Sequence, residues 1–210
     1  MKVLITAGPT REAIDPARFI SNYSSGKMGY ALADACVHSG LEVLLISGPT
    51  QLEVPINCDY IAVESAQEMY EAVEQHIVDC DVAIFSAAVA DYTYKTPATQ
   101  KIKKKEDSLV LELEKTKDIL GSARNTFNFT GLLIGFAAET EKLVANARTK
   151  LEIKGCDLIV ANDISRKDSG FNVDNNQAYL ITSKTEQELP LLSKKALALA
   201  ITQWIKKRLS

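Results

Sequence analysis

A chain of 210 residues that is 46% hydrophobic can bury a sizeable core, and its formal net charge of −3 gives no general attraction to nucleic acid or acidic membranes. No apolar run is long enough to span a bilayer and no charged-then-apolar leader is read at the start. The four cysteines (Cys36, Cys58, Cys80, Cys156) show no C-x-x-C pairing and no nearby histidines, so free thiols in a reducing cytoplasm are expected rather than a zinc site.

Lys2–Ala7 (KVLITA) is a short apolar run of the kind buried in a parallel sheet, and Gly8-Pro9-Thr10 ends it. A long loop to Ser25 holds the turn signal Asp15-Pro16, and a helix over Lys27–Ser39 closes at Gly40. Strands are predicted at Glu42–Ser47 and Tyr60–Val63, and Ser65 with Glu68 forms a capping box opening a helix to about Asp79. Val82–Ser86 is the next strand and leads into Ala87-Ala88-Val89-Ala90-Asp91.

Thr93–Asp107 then breaks the rhythm as a long polar segment, predicted to be a mobile flap. Leu109–Leu113 alternates as a strand, and Asp118–Ala123 reads as a helical turn. Strands at Leu132–Ala137 and Leu158–Ala161 enclose a helix over Lys142–Lys154. A second polar loop spans Ser165–Asn176, followed by a strand at Gln177–Thr182 and a helix over Ser193–Leu209. The alternation predicts one α/β domain over residues 1–210, with a mostly parallel, Rossmann-like sheet flanked by helices.

Chemistry is expected where strands end, at Gly8–Thr10, Ser86–Asp91, Glu139-Thr140 and Asn162-Asp163. The densest polar stretch is Arg18–Gly29 (RFISNYSSGKMG). Its glycines and a helix start favour an anion. It is not a Walker A loop, which would need Gly at position 21 and Ser or Thr at position 28, and G-x-G-x-x-G is absent. The second strand ends in Ser47-Gly48-Pro49 instead of a ribose-binding acid, which counts against NAD.

Each candidate also has a plain reading. Asn22 alone is a turn residue, Arg18 a surface arginine, Asp91 a cap and Phe136 a core residue. The cluster Lys101, Lys103, Lys104, Lys105 reads equally as a solvated face or as a triphosphate-binding face, with Ile102 opposite Lys101, Lys103 and Lys105.

The segments TAGPTREAIDPARFISNYSSGKMG, SAAVADY, KIKK, GFAAET, DLIVANDIS and GFNVDNN, in this order, resemble the phosphopantothenate–cysteine ligase family. The resemblance implies a stand-alone bacterial form without flavin, joining 4′-phosphopantothenate and cysteine in two steps. The carboxylate attacks the α-phosphate of CTP, with Mg2+, to give an acyl-cytidylate and pyrophosphate. The cysteine amine then displaces CMP. It further implies catalytic roles for Asn22, Arg18 and Lys101. Nucleotide contacts are implied for Phe85, Ser86, Ala87, Asp91, Lys101, Thr116, Lys117, Asp118, Ile119, Phe136, Lys150 and Lys154, and substrate contacts for Asn22 and Ala88. Thr116-Lys117 departs from the family's Asn-Pro. No protein metal ligands are implied, and a homodimer is. Lys150 and Lys154 lie late in a helix after a strand, which by sheet geometry alone puts them far from the crevice. A non-catalytic nucleotide-binding regulator and an NAD(P) oxidoreductase are the rival readings.

Overall fold

The computed structural model describes residues 1–104, 108–163 and 174–209. In chain order it contains β1 (Lys2–Ala7), β2 (Arg11–Asp15), β3 (Arg18–Ser21), α1 (Lys27–His38), β4 (Glu42–Ser47), β5 (Asp59–Ala62) and α2 (Ala66–His76), the last followed by a 3-10 turn over Ile77–Asp79. Then come β6 (Val82–Phe85), β7 (Tyr92–Tyr94), β8 (Leu113–Lys115), α3 (Ile119–Asn125), β9 (Leu132–Glu139), α4 (Leu143–Lys154) and β10 (Leu158–Asp163). The chain ends with β11 (Asn175–Asn176), β12 (Ala178–Ile181), β13 (Glu186–Glu188), β14 (Leu192–Ser193) and α5 (Lys194–Leu209).

Eight strands form one sheet in the order β13-β12-β10-β9-β6-β1-β4-β5. The six from β10 to β5 are parallel, and β12 and β13 add antiparallel at one edge. This is the α/β fold that the sequence predicts. Each central strand feeds side chains into two cores. Val3, Ile5 and Ala7 of β1 pack towards α1 and α5, while Leu4 joins the core under α2, α3 and α4. Burial on both faces explains why β1 is a mostly apolar run, with only Lys2 and Thr6 polar.

Helix ends follow the sequence signals. Ser65 Oγ accepts the Glu68 N–H at 3.1 Å, and the Glu68 carboxylate accepts the N–H of Glu64 at 2.7 Å, one residue before the usual capping-box partner. Gly155, at φ +62°, ends α4. Cys36, Cys80 and Cys156 are buried, Cys58 is half-buried, and all four are free. Burial pushes the Cys156 thiol up to about 12, which makes it unreactive as a nucleophile.

Two expectations need correction. Residues 11–21, read as loop, form the β2–β3 hairpin, because its inward positions are acidic rather than apolar. Glu12 accepts the α2 N–H of Ala66 at 2.9 Å, and Asp15 is likewise buried. The strand expected at Leu109–Leu113 starts instead at Leu113, where pairing with Tyr94 begins; Leu109 and Val110 are exposed. The described part of the segment expected to be a flap makes hydrogen bonds at several points. Tyr92–Tyr94 pairs with Leu113–Lys115, and the Ala98 N–H donates to the Ile14 carbonyl at 2.9 Å. Lys105 and most of the loop expected at Ser165–Asn176, including Gly170–Val173 of GFNVDNN, lie outside the described residues.

Close packing at one glycine sets the distance between α1 and the sheet. A Cβ on Gly29 would lie 2.4 Å from Ala7 Cβ and 2.8 Å from Ser86 Oγ. Gly29→Ala is therefore expected to destabilise the fold by about 1–3 kcal/mol. A calorimetric melt would show this as a Tm lower by roughly 2–8 °C; an unchanged Tm would mean that α1 is free to move outward.

Candidate active site

The sheet carries its own crevice. From β1 the chain proceeds outward to β4 and β5, then crosses back to β6 on the other side, so the connection reverses between β1 and β6. β6 stops at Phe85, opposite Gly135, while β9 runs on to Glu139, roughly 13 Å farther. The step between short β6 and long β9, roofed by the start of α1, encloses a cavity of about 810 Å³.

The floor is the Ser86–Asp91 segment, zipped to residues 6–10. Ser86 Oγ donates to the Thr6 carbonyl at 2.6 Å, the Ala88 N–H to the Gly8 carbonyl at 2.9 Å, and the Ala90 N–H to Thr10 Oγ1 at 2.9 Å. Asn22 crosses from the hairpin exit, with Nδ2 donating to the Ala88 carbonyl at 2.9 Å. Thr116 closes the opposite side by donating from Oγ1 to the Ala90 carbonyl at 2.6 Å. Gly26, at φ +76°, caps α1 without a side-chain cap, a conformation in which a Cβ would be strained.

A cationic wall comes from α4. Lys150 Nζ donates to the Phe136 carbonyl at 2.7 Å, and Lys154 Nζ pairs with the Asp118 carboxylate. Distance along the elements removes the apparent conflict over these lysines. Lys150 lies roughly 10 Å down α4 from Leu143. Phe136 lies roughly 10 Å back from the end of β9, so the two meet beside the overhang. Burial is the main influence on the Lys150 ammonium and pulls it below the ordinary lysine range. Burial also pushes Asp118 up, but the Lys154 ammonium and the Gly121 N–H outweigh it and leave that carboxyl below the usual range. Lys117 lies 4.4 Å from the centre of the Tyr70 ring.

Of the residues singled out in the sequence, Asn22, Phe85, Ser86, Ala87, Ala88, Asp91, Thr116, Lys117, Asp118, Ile119, Phe136, Lys150 and Lys154 all line this cavity. Arg18 and Lys101 do not. Arg18 pairs with the Asp15 carboxylate and donates to the Ile102 carbonyl at 3.0 Å, while the Ile102 N–H donates to Asp15 at 3.0 Å. The pair thus grips one residue of the arm on both backbone groups, leaving Lys101 and Lys103 exposed on the opposite face.

The Arg18 guanidinium and the Ile102 N–H hold Asp15 far below the usual carboxylate range. A carboxyl lowered on folding keeps its contribution above its unfolded value of about 3.9 and loses it only below that. Protection of the Ile102 amide from hydrogen exchange is therefore expected to be unaffected by this group from neutral pH down to about 4. Asp15→Asn should speed that exchange by about ten-fold; equal exchange would detach the arm from this pair.

Residues 1–209 match the family described as the DNA/pantothenate metabolism flavoprotein C-terminal domain. The chain belongs to this family. The coenzyme A biosynthesis bifunctional protein CoaBC of Vibrio vulnificus is 49% identical over 205 residues, covering 97% of this chain and 51% of that protein. The chain thus spans about half the length of that curated relative. A crystal structure of the C-terminal domain of a CoaBC protein superposes with a TM-score of 0.84 at 45% identity, covering 99% of this chain and 95% of that one. The DNA/pantothenate metabolism flavoprotein from Streptococcus pneumoniae superposes with a TM-score of 0.86 at 27% identity, covering 99% of both chains.

For this member of the flavoprotein C-terminal domain family, the cavity is also lined by residues not singled out one by one in the sequence, although Lys27 and Met28 lie in the Arg18–Gly29 stretch and Asn176 in GFNVDNN. Lys27, Lys115, Asn176 and Lys194 contribute polar groups, and Met28, Met69 and Leu120 apolar ones. Asn176 and Lys194 are the last two lining residues along the chain, after Asn162. For Lys194 the signal was Ser193-Lys194-Lys195, a pair of cations where a helix start prefers acids. Among the described residues no cluster of His, Cys, Asp or Glu could hold a metal ion by itself, and no helix is long and apolar enough to cross a membrane.

Proposed function

We propose that the chain is a phosphopantothenate–cysteine ligase acting in coenzyme A biosynthesis, with residues 1–210 working as one unit in the cytoplasm. The observation that carries this reading is the convergence of residues from Asn22 to Lys154, spread over most of the family-like motifs, on one cavity at the reversal of the sheet. The names of the relatives, coenzyme A biosynthesis protein CoaBC above all, support the same reading.

A free carboxylate is a poor electrophile, so amide formation needs a leaving group. In the proposed first step the 4′-phosphopantothenate carboxylate attacks the α-phosphate of CTP, and the bond to the bridging oxygen breaks to release pyrophosphate. The positive wall of Lys150 and Lys154 would hold the nucleotide, with the Phe85–Ala87 backbone and Phe136 around it. In the second step the amine of cysteine attacks the acyl carbon, CMP leaves with its phosphate oxygen, and the amine loses a proton. Asn22 would steady the acyl carbonyl with the N–H that Ala88 does not use.

Of the two aspartates lining the cavity, Asp118 is engaged by Lys154, and Asp91 has no ion pair among the described residues. That donor set fits magnesium, which takes one or two carboxylates along with phosphate oxygens and water. Asp91 would help hold the ion, which would neutralise phosphate charge during transfer. No flavin step enters this scheme.

We further propose a homodimer in which Arg18 and Lys101 serve the partner's cavity. This reading accounts for their position outside the cavity of their own chain. The test is pyrophosphate release from CTP or ATP with 4′-phosphopantothenate and magnesium, before and after adding cysteine. A CTP-dependent burst that turns over only with cysteine is the expected result. Release with ATP alone would overturn the CTP preference, and no release with either would overturn the ligase reading.

A further inference from the structure

Arg124, in the last turn of α3, does not line the cavity and plays no part in the proposed chemistry, yet it holds four groups at once. Its Nε donates to the Gly155 carbonyl at 3.1 Å, Nη1 to the carbonyls of Phe129 at 2.6 Å and Gly131 at 2.9 Å, and Nη2 to the Asp157 carboxylate at 2.8 Å. The same Asp157 oxygen accepts the Leu133 N–H at 2.8 Å, which ties the cluster to the start of β9. A planar guanidinium carries enough N–H groups at fixed angles for this, whereas an ammonium on its flexible stem could not span the set.

The bond to Gly155 is the one that bears on the cavity. Gly155 directly follows Lys154 and ends α4, and a Cβ there would lie 3.1 Å from Arg124 Cγ, so the arginine stem covers that turn. At the other end of α3, its N-cap Asp118 accepts the Gly121 N–H at 2.9 Å and pairs with Lys154, and both of these residues line the cavity. α3 has only seven residues, about 10 Å of helix. It is therefore fastened to the end of α4 at both of its own ends, by Asp118 within the cavity and by Arg124 outside it.

This fastening opposes a repulsion. Lys150 and Lys154 stand one turn apart on α4 and both line the cavity, so their like charges push the end of the helix outward. Burial lowers the Lys150 ammonium most, and the Lys154 charge lowers it further, the expected mark of two cations held close together. We propose that Arg124 is a positioning residue, which fixes the last turn of α4 against α3 and so holds Lys150 and Lys154 in the cavity wall, where the proposed reaction needs them. It touches no substrate itself and acts through the two lysines.

The first test needs no substrate. Labelling of amines on the whole chain with a small dose of acetic anhydride, read by mass spectrometry, reports how often Lys154 leaves its place. Arg124→Met, and the milder Arg124→Lys, which keeps a cation beside Asp157, should each raise labelling of Lys154 by about ten-fold relative to the exposed Lys184. Ile205→Ala lowers stability from the core on the other face of the sheet and should leave that ratio at its wild-type value. Unchanged labelling in Arg124→Lys overturns the proposal, and so does an equal rise in Ile205→Ala, which would mean general loosening.

The second test rests on the ligase reading and is a double-mutant cycle on CTP binding, measured calorimetrically. Arg124→Lys and Lys154→Met should each weaken binding by about ten-fold. Independent effects would multiply to about a hundred-fold, whereas action of one residue through the other keeps the double variant within about three-fold of either single change. A multiplied loss overturns the proposal, as does a CTP affinity untouched by Arg124→Lys. Wild type that binds no CTP, with Lys154 labelling still governed by Arg124, keeps the positioning role and removes the CTP reading. CTP-dependent ligation with labelling indifferent to Arg124 does the reverse.

Discussion

Asn22→Asp is expected to leave pyrophosphate release near the wild-type rate and to slow amide formation by roughly 10²–10³. The geometry sets this expectation. Asn22 Nδ2 donates one N–H to the Ala88 carbonyl at 2.9 Å, which leaves the second free for an acyl oxygen. An ionised carboxylate has neither N–H and turns an oxygen towards the Ala88 carbonyl, so the side chain should also swing away from the cavity. Attack at the α-phosphate does not use that donor, whereas attack at the acyl carbon does, because negative charge builds on the carbonyl oxygen there. Acid-quenched samples should contain accumulated acyl-nucleotide before cysteine turns it over. Amide formation at the wild-type rate would remove Asn22 from the second step.

The second large effect concerns Lys101, which lies outside its own cavity on an arm gripped by Asp15 and Arg18. Lys101→Gln alone is expected to lower the rate of pyrophosphate release by about ten-fold or more, because a charge-assisted contact to the triphosphate is lost. Its partner dependence can be read by mixing. If the arm serves the second copy, combining Lys101→Gln with Asn22→Asp chains restores one complete site in each mixed dimer. Random pairing then returns about a quarter of the wild-type activity. If the arm served its own chain, every site would carry one lesion and mixing would recover nothing. Arg18→Gln should follow the same rule, since it grips the same arm.

Legibility in the sequence tracked how each element is stabilised. Strands such as Lys2–Ala7 and Val82–Phe85 are buried on both faces, so their apolar runs announce them. The β2–β3 hairpin stays hidden because Glu12 and Asp15 face inward and accept backbone N–H groups, which reverses the usual apolar alternation. At Leu109–Leu113 the alternation is present but the partner is not, and pairing begins only where Tyr94 meets Leu113.

The site divides along similar lines. Polar residues at strand ends were legible because the crevice of an open parallel sheet lies there. The position of Lys150 and Lys154 depends on how far β9 outruns β6, a length difference that no local pattern reports. Asn176 and Lys194 come to the cavity through the β11–β14 pairing of two very short strands, too short to leave a periodicity.

The central claim is that the carboxylate of 4′-phosphopantothenate becomes bonded to the α-phosphate of the nucleotide in this cavity. Isotope transfer tests it most directly. 4′-Phosphopantothenate labelled with oxygen-18 in its carboxylate would be turned over with CTP and cysteine, and the products weighed by mass spectrometry. The account predicts one labelled oxygen in CMP and none in pyrophosphate, because the acyl carbon leaves that oxygen on the nucleotide when the amine attacks. Label in inorganic phosphate with release of CDP would instead mean attack at the γ-phosphate, and would contradict the account.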